Sequence, residues 1–269
     1  MICFMSGGEK VNRDTVRQIA NVLATLATIT VNGLANALPL NNLTTGEISD
    51  RFVVYFTPAG YVFSIWGLIY LALLAFTIYQ ALPGQRENGA VRRIGYLYFL
   101  ASAANVAWIF LWHYEVFVPT LVAMVALLGA LIAIYVRLDI GRVEVSPGDR
   151  WFIHLPFSIY LGWITVATVA NVTAVLDYVG WSGSGISPEV WTAVVLTVAT
   201  IIAVIMSLTR ADVAYLLVLA WAFVGIYVKH SGTPVVAISA IAAAGLAALM
   251  AVVSALPRGP LPLASKKSA

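Results

Sequence analysis

A chain of 269 residues that is 61% hydrophobic and only 10% charged, with a mean hydropathy of +0.91, repeatedly reaches apolar runs of about 20 residues, the length that spans a bilayer. Soluble domains are excluded, because no stretch between those runs is long enough to bury a core of its own. The formal charge of +3 is no argument for nucleic acid; the basic residues are read by membrane side instead. The single Cys3 builds no disulfide framework.

Residues 1–18 form a polar segment carrying Lys10, Arg13 and Arg17, with Met1 and Met5 both available as starts. A first helix follows over about 19–38. Asn21, Thr25, Thr28, Asn32 and Asn36 recur on it at spacings of 4, 3, 4 and 4, a polar stripe on one face. Such a stripe is either packing glue, bonding to its own backbone or a neighbouring helix, or part of a ligand-lining wall. Ala35-Asn36-Ala37 has the small-residue look of a cleavage site, but the apolar run is longer than a leader's and its asparagines suit a bundle better.

Residues 39–56 make a long loop, polar first and aromatic later, expected to fold as a lid. The second helix, 58–81, opens on Pro58 and sets Phe63, Trp66 and Tyr70 on one face. A third, about 94–113, aligns Tyr98, Ser102, Asn105, Trp108 and Trp112. The fourth, about 117–136, is almost featureless and is expected to face lipid. Helix five, about 151–176, contains Pro156, which should kink it, and carries Trp163 and Asn171. After a Gly/Ser-rich loop come helices over 188–208, 212–228 and 234–256. The last repeats small residues at Ser239, Ala243, Ala247, Ala251 and Ala255, a stripe for close packing. Residues 257–269 are a basic tail.

With the N-terminus inside, eight spans put thirteen of the fifteen basic residues in the cytoplasm and leave only Arg51 and Lys229 outside. Both termini are then cytoplasmic. Each helix entering from outside has a proline expected in its first turn: Pro58, Pro119, Pro188 and Pro234. At about 1.5 Å per residue, Trp66 and Asn105 lie roughly 12 Å below the outer surface, Trp108 and Asn171 roughly 7 Å, and Tyr70 and Trp163 roughly 20 Å. Helices two, three and five thus present indoles, a phenol and two carboxamides at overlapping heights. That suits a flat apolar ligand with a few polar groups, while plain core packing is the duller explanation for Trp66, Trp108 and Trp163. Trp112, Trp151, Trp181 and Trp191 fall at helix ends and read as an interfacial belt. Trp221, in the seventh helix, lies mid-membrane and reads as core.

Ionisable groups do not suggest an enzyme. His113 and Glu115 lie at the outer surface and His154 near the inner one, so they cannot share a metal. His154 is expected to bond to a nearby helix or else to mark a protonatable ligand group, and Asp177 and Asp212 to cap or be hydrated at helix ends. No nucleophile-base pair, paired carboxylates or phosphate loop stands at usable spacing, and no cofactor is implied.

Trp66-x3-Tyr70, Asn105-x2-Trp108 and Trp163-x3-Ala167-x3-Asn171, in that order and after a long first loop, resemble the signatures of the translocator protein family, also called tryptophan-rich sensory protein or TspO/MBR. The resemblance covers about 15–178. It implies a five-helix bundle that binds porphyrins, or in animals sterols and drugs, under a lid, and that dimerises. The family's double proline and Trp before the helix-two Phe are replaced here by Thr57-Pro58 and Tyr61, and its Pro-Tyr four residues before the helix-five Trp is absent. The expectation is therefore an all-α, eight-span membrane protein with a TspO-like core at 19–178 and a three-helix extension at 179–256. Phe63, Trp66, Tyr70, Asn105, Trp108, Trp163 and Asn171 would line a site for a porphyrin-like or sterol-like molecule, in a homodimer within the bilayer. A small-molecule transporter using the same cavity as a passage is the alternative.

Overall fold

The computed structural model describes residues 6–38 and 40–256, with side chains from residue 13 onward. The alternative starts, Cys3, Pro39 and the basic tail from residue 257 lie outside the described residues. Eight long helices organise the chain.

Helix α1, Ser6–Ala37, starts well before the apolar run, because its polar first half is tied to its neighbours rather than left in water. Asp14 accepts from Arg17 and Arg92, and Gln18 and Gln80 donate to each other's backbone carbonyls. Helix α2, Ile65–Ala81, is preceded by a 3-10 turn over Gly60–Ser64. Pro58 therefore lies ahead of the helix rather than in its first turn. Its ring and the buried Val62 press instead on Gly225 of the seventh helix, where an added Cβ would come within 2.1 Å of Val62 Cγ2.

The third helix is shorter than the sequence suggested. A separate turn, Gly89–Ile94, is capped by Asn88 and broken at Gly95, whose φ of +58 only glycine adopts cheaply, and α3 then runs Leu97–His113. Helix α4, Phe117–Leu138, is not featureless: Thr120, Leu131, Ile134 and Tyr135 bury one face between α3 and α5, leaving Val122 and Val125 outward. Helix α5, Leu155–Tyr178, carries Pro156 in its first turn, directly after a π turn over Arg150–His154. The missing proline donor is absorbed by that widened turn, so the expected kink takes this form. Helices α6, Pro188–Arg210, α7, Val213–Lys229, and α8, Pro234–Ala255, follow; Ser187 caps α6 and Asp212 caps α7.

The first five helices close a ring: α1 packs on α2 and α3, α3 on α4, α4 on α5, and α5 on α2. Helix α7 leans on the outside of α5 at Gly162, where a Cβ would stand 3.1 Å from Val218. Helix α8 packs on α7, and α6 on α8. Of the small-residue stripe on α8, Ala243, Ala247 and Ala251 are buried, with Ala240 and Ala244 beside them. Ser239 stays partly exposed and Ala255 exposed.

Among the described residues six helices are long and apolar enough to cross a membrane, and α3 and α7 are apolar helices of 10–17 residues. The outward faces are mostly hydrocarbon, with Leu71 on α2, Val122 on α4, Leu208 on α6 and Val252 on α8 all more than half exposed. On helices of membrane-spanning length, such a belt fits a lipid-facing surface.

Candidate functional site

The 3-10 turn ahead of α2 and the helix itself carry Phe63, Trp66 and Tyr70 toward α5. The rings of Trp66 and Tyr70 stack, with centroids 5.5 Å apart and planes 21° apart. From α5, Trp163 meets Phe63 at 5.8 Å and Trp66 at 6.1 Å, both edge-on, and Tyr160 meets Trp66 at 6.1 Å. Edge-to-face contacts of this kind favour a defined cluster over a loose apolar fill. Tyr160 was missed in the sequence, although it stands three residues before Trp163 and so shares its face.

The two α2 rings and Phe63 are half-buried, whereas Tyr160 and Trp163 are 1% and 2% exposed. The cluster thus runs from the lipid-facing side of α2 into the ring of helices. At its inner end lies Asn105 of α3, whose Oδ1 accepts from Asn32 of α1 at 2.7 Å. Asn105 Nδ2 and the Tyr160 hydroxyl face each other closely enough to interact, short of a well-formed hydrogen bond. Three buried polar atoms here complete no hydrogen bond within the protein: Asn105 Nδ2, the Tyr160 hydroxyl and Trp163 Nε1. Each can donate, and an unmade bond in a buried donor costs about 1–3 kcal/mol, so groups of this kind normally have a partner.

The other two candidates belong elsewhere. Trp108 stacks on Trp112 at 5.2 Å, and its indole nitrogen donates to Asn171 Oδ1. Asn171 in turn donates to Thr120 of α4. This closed network joins α3, α4 and α5, leaving neither carboxamide nor indole free. The seven candidates therefore split into an aromatic-amide cluster of Phe63, Trp66, Tyr70, Trp163 and Asn105, which holds incompletely bonded donors, and a satisfied pair, Trp108 and Asn171.

The polar stripe of α1 divides in the same way. Thr25 bonds Thr77 and Tyr98, and Asn32 bonds Asn105, which is interhelical glue. The Asn21 amide and the Thr28 hydroxyl are buried without a hydrogen-bond partner. His154 departs from expectation: it is buried and its Nε2 bonds to no neighbouring helix. Asp212, by contrast, caps α7 and accepts from the buried Tyr135 hydroxyl at 2.8 Å.

The loop after α1 is clasped over the ends of the helices. Its short helix Thr45–Asp50 begins with a capping box, in which the Thr44 backbone N–H and hydroxyl hold the Glu47 carboxyl below its usual range. His113, at the end of α3, donates from Nδ1 to the Leu40 carbonyl, while its Nε2 pairs with the Thr45 hydroxyl. Trp112 donates to the Thr45 carbonyl and packs on Phe52. Trp112 is 3% exposed and so is no interfacial anchor, in contrast to Trp151 and Trp181. Farther along, Asp50 pairs with Lys229, Arg51 with Glu115, and Tyr55 donates to Glu189. The backbone N–H of Ala59 donates to Gly225, and Trp221, which is partly exposed rather than core, donates to the Val62 carbonyl. One segment thus joins α3 to α7. Among the described residues no group of His, Cys, Asp and Glu is placed to hold a metal.

A family model described as TSPO-like protein matches residues 18–253. The match runs on past residue 178 and takes in α6, α7 and most of α8. No curated protein and no solved structure matches. A match over most of the chain, together with a lipid-facing belt on apolar helices, makes this an integral membrane protein, and the chain belongs to the TSPO-like family.

Proposed function

We propose that the chain binds a flat, hydrophobic, tetrapyrrole-like molecule between α2, α3 and α5, on the lid side of the membrane. The observation that carries this reading is the set of three buried donors without partners, Asn105 Nδ2, the Tyr160 hydroxyl and Trp163 Nε1, beside a wall of aromatic rings. Ring faces of Phe63, Trp66 and Tyr70 would stack on the macrocycle, and the donors would take its polar edge. The half-buried α2 rings give a lateral way in from the bilayer. That supports loading of a membrane-dissolved ligand and a sensing or regulatory role over an aqueous passage.

In the same reading all eight long helices span the membrane, α3 and α7 being at the short end of the range that can. Both termini are cytoplasmic and the lid is outside. Trp108 and Asn171 then act as the support that fixes α3 against α5, at the edge of the site rather than on the ligand.

The test is tryptophan-fluorescence quenching by protoporphyrin IX in detergent, comparing the wild type with Trp66→Ala and Asn105→Ala. Saturable quenching is expected, weakened about fivefold by the loss of one hydrogen bond at Asn105 and more by loss of the Trp66 ring. Non-saturable quenching, or quenching indifferent to both substitutions in folded protein, overturns the reading. Ligand-dependent flux in proteoliposomes would instead move the transporter reading to the front.

A further inference from the structure

Helix α6 takes its packing from α8 and more lightly from α7, and it diverges from α5. A groove of about 580 Å³ opens between them, walled by Val169 of α5 and by Val195 and Ala199 of α6, with Leu219 of α7 as its floor. It lies outside the ring of five helices and shares none of the residues of the aromatic-amide cluster.

Its length fits a particular occupant. The groove follows α5 from Thr165 to Asp177, a rise of about 18 Å. One leaflet of hydrocarbon is about 15 Å deep. The wall offers no free donor, because the hydroxyls of Thr165, Thr168, Thr173 and Thr192 each give their hydrogen to a carbonyl of their own helix. With valine, leucine and alanine making up most of the remaining wall, the groove suits a hydrocarbon chain along its buried length.

The mouth has a different chemistry. Trp181 and Trp191 meet there with ring centroids 5.4 Å apart. Trp191 is fixed by donating to the Gly183 carbonyl at 2.8 Å, and Gly183, at φ +73, lies against its ring. The exposed carboxylate of Asp177 stands at the same end, where it accepts from the Val53 backbone N–H, and Glu189 accepts from Tyr55. No lysine or arginine occurs between Arg150 and Arg210, and the two basic residues of the nearby segment and helix end, Arg51 and Lys229, are taken by Glu115 and Asp50. Aromatic faces beside uncompensated carboxylates attract an ammonium group and repel an anionic one.

We propose that this groove holds one acyl chain of a zwitterionic phospholipid from the lid-side leaflet, with the lipid's ammonium head group against Trp181 and Asp177. The lipid completes the seam between α5 and α6 that the helices leave open.

The experiment uses the full chain in phosphatidylcholine vesicles. Trace phosphatidylcholine or phosphatidylglycerol, spin-labelled near the chain end, reports the motionally restricted fraction. The wild type is expected to prefer phosphatidylcholine by about threefold, and Asp177→Asn, which keeps an acceptor for Val53, to reduce that preference. Val169→Trp and Val195→Trp, from opposite walls, should each remove the restricted component that the groove contributes. Equal restriction of the two lipids overturns the head-group assignment, and an unchanged component in either folded variant overturns the groove as its seat. Mass spectrometry of gently solubilised wild type gives a readout that needs no variant. One retained zwitterionic phospholipid per chain supports the proposal, and none overturns it.

Discussion

Asn32 of α1 and Asn105 of α3 are bonded amide to amide, with Asn32 Nδ2 2.7 Å from Asn105 Oδ1. The direction of that bond is fixed from outside the pair. Asn32 Nδ2 also donates to the Thr28 carbonyl at 2.8 Å, which can only accept, so the Asn105 atom facing Asn32 must be its oxygen. Asn105 Nδ2 is thereby turned away from α1 toward the Tyr160 hydroxyl, where it completes no bond. A residue of the polar stripe on the first helix thus sets the orientation of a donor in the candidate site.

Removing the Tyr160 hydroxyl should separate binding from stability. It meets only Asn105, short of a well-formed hydrogen bond, so Tyr160→Phe is expected to change the unfolding free energy by less than about 1 kcal/mol. The same substitution should weaken protoporphyrin IX about fivefold. Unfolding by denaturing detergent and fluorescence titration on one preparation check both. A loss of stability equal to the loss of binding would mean that the hydroxyl is structural.

Asn32→Ala acts at one remove. It deletes a buried interhelical bond of a kind that contributes on average about 0.6 kcal/mol in membranes, so a small destabilisation is expected. It also frees the Asn105 amide to rotate. Porphyrin affinity should therefore fall although Asn32 lies behind Asn105, and Asn32→Asp, which keeps a side-chain oxygen but loses the donor, should not restore it. Equal affinities for wild type and Asn32→Ala would break the link between stripe and site.

Much of the fold was legible because hydropathy and turn chemistry are local. The eight long helices lie where the apolar runs are, and Asp212 caps as its place at a helix end suggests. Arrangement was less legible. Trp112 has the sequence position of an interfacial anchor, but whether a helix end meets water depends on what the chain lays over it, and here Phe52 and Thr45 cover it. Trp108 and Asn171 share a depth with each other, about one helical turn above Asn105, and rotation about the helix axes pairs them together and with Thr120. Depth along a helix follows from residue count, whereas azimuth depends on the neighbours. Tyr160 was within reach of periodicity alone, three residues from Trp163, but carried no motif to draw notice.

The contact between the turn before α2 and α7 is steric and should respond to single methyl groups. Gly225→Ala would place a Cβ 2.1 Å from Val62 Cγ2 and 3.1 Å from Pro58 Cβ. Val62 is stiff about χ1 and fully buried, so overpacking of about 1–3 kcal/mol is expected. Val62→Ala on its own should also destabilise, but in the Gly225→Ala background it should recover part of the loss. Strict additivity of the two changes in a double-mutant cycle would show that they do not meet.

The lid should loosen in acid through His230. Its Nε2 donates to the Thr57 carbonyl at 3.1 Å, and its ring meets Tyr55 edge-on at 5.2 Å. Burial holds the imidazole below its usual value, the Thr57 bond pulls upward, and the neighbouring Lys229 adds to the lowering. Lys229 is itself paired with Asp50, and the Tyr55 hydroxyl is engaged by Glu189. Because the docked state binds the proton less readily than the undocked one, docking is at full strength above about pH 6.5 and is lost as pH falls below it. Hydrogen-exchange protection of residues 53–59, corrected for intrinsic rates, should therefore drop between about pH 7.5 and 5.5. His230→Gln keeps a donor for Thr57 but cannot take up a proton, so its protection should be flat across the same range. A wild type as flat as the glutamine variant would remove His230 from the control of the lid.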